Sequence, residues 1–156
     1  MSLIKVKEHL KKYNMEDRII TVPESSATVA LAAQSLGCEE ARIAKTLSFT
    51  LKEKNILIVT AGDTKIDNAK YRHEFNEKAH MIPGDQVEEI IGHPVGGVCP
   101  FGVNENIEIY LDESLKRFKT VFPACGTIDT AIEVSIEELE KITNYTKWID
   151  VCKLKD

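Results

Sequence analysis

Leu3, Val6, Leu10 and Tyr13 recur at helical spacing with lysines between them, so the pattern predicts an amphipathic helix over residues 2–13. Arg18–Val22 is a short β-branched run stopped by Pro23, which predicts a strand. Ser26 and Thr28 are suitable caps for an alanine-rich helix over Val29–Leu36, and Gly37 stands where a helix C-terminus favours glycine. Ile43–Leu51 and Ile56–Thr60 predict two strands joined by the polar turn Lys52–Asn55. Asp67 caps a predicted helix to Phe75, and Pro83-Gly84-Asp85 opens another that runs to Ile91. After the irregular segment Gly92–Gly102, strands are predicted at Ile107–Leu111 and Thr120–Phe122, flanking a short helix at Glu113–Arg117. Ala131–Val134 is a further strand, Ser135 begins a helix over Ile136–Ile142, and Trp148–Val151 is placed to close the sheet.

This alternation, without repeat, low-complexity stretch or linker, predicts a single α+β domain over residues 1–156. No apolar run approaches the roughly 18–20 residues a membrane span needs, so no membrane partner is expected. The start alternates apolar and charged residues and lacks the apolar centre of a signal peptide, which makes a cytoplasmic protein the expectation. Cys38, Cys99, Cys125 and Cys152 are far apart and contain no CxxC pair, so they are expected to be free thiols rather than zinc ligands or a redox pair. The formal net charge of −5 argues against a protein that grips long stretches of DNA or RNA. It leaves room for one that captures only the end of an RNA strand.

Three segments carry candidate chemistry. Ile43, Lys45, Leu47 and Phe49 share one face of a strand, which sets Lys45 among large apolar neighbours. A lysine there needs a partner or a wet pocket for its ammonium; the alternative is a stem that packs while the head reaches water. The Gly92–Gly102 loop holds four glycines and two prolines in eleven residues. Its glycines let main-chain N–H groups approach a ligand, and its prolines stiffen the frame. It lacks the Gly-Lys-Ser/Thr ending of a nucleotide phosphate loop. The small, polar segment Pro123–Thr130 offers Thr127, Asp129 and Thr130 as hydrogen-bonding groups. His9, His73, His80 and His93 form no recognisable constellation, and no nucleophile elbow is present. Cys99 reads as a buried thiol more readily than as a nucleophile, since no histidine is placed in sequence to activate it.

The order Thr28-Val29-Ala30 to Gly37, then Ile43-Ala44-Lys45-Thr46-Leu47, then Gly96–Gly102, then Gly126 ahead of Ile132–Ser135, resembles the YbaK family. These are free-standing relatives of the editing domain of bacterial prolyl-tRNA synthetase, and the resemblance spans residues 20 to 143. It implies a curved, mixed, partly barrel-like β-sheet with helices packed around it. The activity it implies is aminoacyl-tRNA deacylation in trans, with Cys-tRNA(Pro)- or Ala-tRNA(Pro)-like substrates and no cofactor or metal. The implied partners are the tRNA acceptor end, as aminoacyl-adenosine, and an aminoacyl-tRNA synthetase. Carried onto this chain, the family motifs place catalysis at Lys45 and the main chain of Gly96, Gly97, Val98 and Cys99. They place substrate binding at Thr28, Thr46, Pro100, Phe101, Gly102, Gly126 and Thr127. The chain departs from relatives at Ile91-Gly92-His93-Pro94, where Thr-Gly-Tyr is more usual. Two other readings stay open: a non-catalytic module that binds an aminoacyl-adenosine or nucleotide end, and Schiff-base chemistry at Lys45.

Overall fold

A computed structural model describes residues 2–23 and 28–155. Its centre is β3 (Asn55–Ala61), whose near-continuous apolar run is buried on both faces, as a strand covered on both sides requires. It pairs antiparallel with β2 (Ile43–Thr50) through a tight connection and parallel with β5 (Ile107–Asp112). Beyond β5 lies β9 (Tyr145–Ile149), also parallel. Beyond β2 lie β6 (Thr120–Pro123), parallel to it, and β8 (Val134–Ser135), antiparallel to β6. The order is therefore β8-β6-β2-β3-β5-β9, a mixed, curled six-stranded sheet in an α+β fold.

Alternation along β2 and β3 divides the interior into two layers. Ala44, Leu57 and Val59 enter the main core with Val6 and Leu10 of α1 (Ser2–Lys11), Ile91 of α4 (Gly84–Ile91) and Leu139 of α5 (Ile136–Ile142). Phe49, Ile56 and Ile58 point the other way and pack with Tyr71 of α3 (Asn68–Phe75). Ile43 joins Ala32 and Ala33 of α2 (Val29–Leu36) and Phe122 on that second face.

The helix ends follow from local chemistry. The Thr28 hydroxyl accepts from the Leu31 N–H at 3.1 Å, and Gly37 takes a left-handed φ of 68° to close α2. Ser26, the other expected cap, lies outside the described residues. Asp67 accepts from the N–H groups of Ala69 and Lys70 at 3.0 and 3.2 Å. Ser135 and Glu138 form a reciprocal capping box on α5.

Several expected elements differ. The first strand shrinks to β1 (Ile20–Thr21), because Glu16–Arg18 forms a 3₁₀ turn and Arg18 is drawn to Glu138 and the Glu133 carbonyl. The expected strand Ala131–Val134 is two pieces, β7 (Thr130–Ala131) on β1 and β8 on β6, since the chain changes partners between them. Of Trp148–Val151 only Trp148 and Ile149 are strand, the end of β9, and a separate β10 (Cys152–Leu154) pairs with β4 (Thr64–Ile66), which the hydrophobic pattern does not announce. The turn between β9 and β10 is fastened by buried Asp112, which accepts from the Val151 N–H and the Ser114 N–H at 2.9 Å each. Among the described residues no helix is long and apolar enough to cross a membrane.

Candidate active site

β2 is only partly covered on its outer edge. β6 lies in register with it at Ile43 and Ala44, and an antiparallel bridge joins Phe49 to Met81. Between those two contacts no described residue pairs with the edge, and there a cavity of about 510 Å³ forms. Its floor is Ala44–Ser48; α2 contributes Val29, Ala32 and Leu36, and Thr28 closes one end. Phe122, Ala124, Thr130 and Ala131 form one side, and Ile82, Gly84 and Val87 the other. Val95, Gly96 and Val98 complete the wall. Met81 and Val95 stand at the rim, 58% and 63% exposed. The lining is mostly apolar; among the described residues its polar side chains are the hydroxyls of Thr28, Thr46, Ser48 and Thr130 together with Lys45, and none is a carboxylate.

Of the residues expected to form a site, Lys45, Thr46, Thr28, Gly96 and Val98 meet at this cavity. Lys45 does not, however, point its ammonium at the glycine-rich loop. Its strand face is that of Ile43 and Phe49, whereas the loop packs under the face of Ala44, so the two approach the cavity from opposite sides of β2. The Lys45 ammonium donates to the main-chain carbonyl of Thr64. Burial, and then the nearby charge of Lys155, hold its pKa below the ordinary lysine value.

The loop is built differently from the expected row of inward-facing N–H groups. Gly97 N–H already donates to the Pro94 carbonyl at 2.9 Å, closing a turn. A Cβ at Gly97 would fall 2.5 Å from the Gly126 carbonyl carbon, so this glycine is required where two main chains touch. Gly126 is buried in that contact and Gly102 lies against the main chain of Lys5, so both serve packing. Cys99 and Phe101 are fully buried in the main core and Pro100 is buried beside them. Burial pushes the Cys99 thiol up to about 12, which leaves it protonated and no nucleophile. Thr127 hydrogen-bonds Asp129 and Thr130 at 2.7 Å each and stands behind the lining, where Thr130 takes its place.

The loop is held from beneath by His93. Fully buried, its Nε2 bonds the Phe101 carbonyl at 2.6 Å, and its Nδ1 meets the Ser2 hydroxyl at the start of α1. Nε2 donates to that carbonyl, and burial lowers the ring's pKa and so favours the neutral form, in which Nδ1 accepts from the Ser2 hydroxyl. Sequence reasoning sets this histidine aside because one of its partners, Ser2, lies 91 residues away in the chain. Also unannounced are Met81 and Ile82, which reach the cavity by pairing with β2, and Ala124, which bridges Ala131. All four cysteines are free, and among the described residues no group of three or more His, Cys, Asp or Glu is placed to hold a metal ion.

With this geometry in view, similarity to known proteins is informative. A family model described as the aminoacyl-tRNA editing domain matches residues 23–142, which include every described residue of the cavity lining. The chain is 50% identical over 154 residues to "Uncharacterized protein YwhH" of Bacillus subtilis (strain 168), covering 98% of both chains. It is 28% identical over 124 residues to "Putative Cys-tRNA(Pro)/Cys-tRNA(Cys) deacylase EbsC" of Enterococcus faecalis (strain ATCC 700802 / V583), covering 78% of this chain and 75% of that one. A solved structure titled "Crystal structure of a putative trans-editing enzyme for prolyl tRNA synthetase" superposes with a TM-score of 0.87, at 27% identity and 97% coverage of each chain.

Proposed function

This chain belongs to the aminoacyl-tRNA editing domain family, and on that premise we propose that it is an aminoacyl-tRNA deacylase acting in trans. Its substrates are tRNAs carrying a small, uncharged amino acid, with Cys-tRNA(Pro)- and Ala-tRNA(Pro)-like esters first among them. The observation that carries this reading is the cavity at the open edge of β2, where Lys45 and Thr46 meet Gly96 and Val98. Its apolar, hydroxyl-bearing walls suit a small neutral side chain, and none of the described lining residues is a carboxylate that would pair with a basic one.

The reaction asks little of the protein. An aminoacyl ester is already activated, so orientation, which supplies roughly 7–11 kcal/mol in favourable cases, is most of what is needed. That is consistent with a site whose described residues include no triad. In this reading Lys45 is a positioning charge: its long side chain leaves the Thr64 carbonyl to take the phosphate of the terminal nucleotide. The fixed wall of Gly96 and Val98 closes the pocket over the acyl group. A net charge of −5 fits a protein that captures one nucleotide end in a pocket and leaves the tRNA body to a synthetase.

Lys45→Ala tests this assignment. The variant is expected to lose deacylation of a mischarged tRNA that the native protein hydrolyses, with an unchanged melting temperature. Near-normal turnover in Lys45→Ala would remove the lysine from the mechanism.

A further inference from the structure

Main-chain groups of successive strand residues point to opposite edges. On β2 the Ser48 carbonyl accepts from the Ile82 N–H at 3.1 Å and the Thr50 N–H donates to the His80 carbonyl at 2.9 Å. Even-numbered residues therefore turn their main chain away from β3 and toward the cavity edge. On that edge Ala44 is covered by Pro123 of β6 and Ser48 by Ile82. Thr46 falls in the gap between them. Among the described residues no protein group bonds its outward N–H or its carbonyl, and its Oγ1 is buried without a partner as well. Three unmatched polar groups on one residue of a cavity floor call for a ligand that matches them.

An antiparallel pair of residues exchanges two bonds, each N–H donating to the other's carbonyl. An aminoacyl ester carries both halves of that exchange across a single Cα: an α-ammonium that donates and an ester carbonyl that accepts. We propose that Thr46 docks the acyl group as one residue of missing strand, its N–H on the ester carbonyl oxygen and its carbonyl on the α-ammonium. This inference rests on the deacylase reading and gives it a carbonyl-polarising donor that the Gly97 N–H, already bonded to Pro94, does not supply. When a water oxygen adds to the ester carbon, the carbonyl π pair moves onto the oxygen that Thr46 N–H holds. Collapse of the adduct re-forms the carbonyl and breaks the bond to the ribose oxygen. That oxygen leaves with a proton from the water, giving free amino acid and a tRNA hydroxyl end.

The test uses the full-length, ¹⁵N-labelled protein and a non-hydrolysable probe, 3′-alanylamido-adenosine, in which N–H replaces the ester oxygen, together with its N-acetyl form. The probe is expected to move the Thr46 amide resonance downfield and to slow its exchange with solvent at least about tenfold. The N-acetyl form, without the ammonium, is expected to bind about tenfold more weakly. In parallel, Thr46→Pro deletes an N–H that faces an open edge, where proline is tolerated, and is expected to lower kcat about 100-fold. Thr46→Val keeps the N–H and should lose far less. Saturating the cavity while the Thr46 amide stays unmoved overturns the inference, and so does a folded Thr46→Pro with native kcat; either leaves the deacylase reading standing. Absence of both probe binding and turnover of any mischarged tRNA overturns that reading and this inference together. Should Thr46→Pro fail to fold, the amide shift alone decides.

Discussion

His93 shows how one side chain can hold a site without entering it. Its ring ties the loop at Phe101 to the start of α1 at Ser2. The unfolded chain takes up a proton on this ring below about pH 6.5, whereas burial keeps the folded ring neutral to lower pH. Protons therefore favour the unfolded state, so this contribution to stability is complete above that pH and falls as the pH drops below it. Melting curves between pH 8 and 5 should show that decline in the native protein and a flatter profile in His93→Gln. An equal slope in both would mean that the ring titrates freely. At this scale the sequence is only partly legible. Lys45 is conspicuous as a charge on an apolar strand face, and its place at the cavity follows from that pattern together with the family resemblance. The bond to Thr64 and the His93–Ser2 contact are invisible because they join residues through space.

Among elements, α5 is the one whose boundary the sequence specifies most completely. Ser135 accepts from the Glu138 N–H at 3.1 Å, and the Glu138 carboxylate returns the contact to the Ser135 N–H at 2.9 Å. Glu138 also meets Arg18 at 2.6 Å, and together these partners bring its pKa down to about 2. Unfolded, the carboxyl protonates near pH 4.3, so what it contributes is present above that pH and disappears as the pH falls toward 2. Ser135→Ala should cost about 1 kcal/mol at neutral pH by denaturant melting. Glu138→Gln should remove part of the native protein's loss of stability between pH 5 and 2; an unchanged acid limb would show the pair to be inert. The strand ends are less legible than the helix caps. β7 and β8 share one hydrophobic run and separate only because Thr130–Ala131 pairs with β1 while Val134–Ser135 pairs with β6. β4 and β10 are three residues each, and their pairing depends on the turn that Asp112 secures.

For the whole molecule, the decisive feature is a gap rather than an element. β6 covers β2 at residues 43 and 44, the Met81 bridge covers it at residue 49, and the cavity is what lies between. No local pattern encodes such a gap, since it arises from where two distant segments stop. Family resemblance points to Lys45, Thr46 and Gly96, which line the cavity, and also to Gly97, Cys99 and Gly126, which are tightly packed or buried behind it. The net charge of −5, the mostly apolar lining with Lys45 at its floor and the strand edge that no described residue pairs with all suit a pocket for one aminoacylated nucleotide end. The most direct measurement is release of labelled amino acid by the purified protein from a panel of tRNAs, each charged correctly or with a wrong amino acid. The account predicts catalytic deacylation of Cys-tRNA(Pro) or Ala-tRNA(Pro), with tRNAs bearing charged amino acids left intact. Tight binding of the aminoacylated ends with no release from any of them would contradict it and identify a non-catalytic binding module.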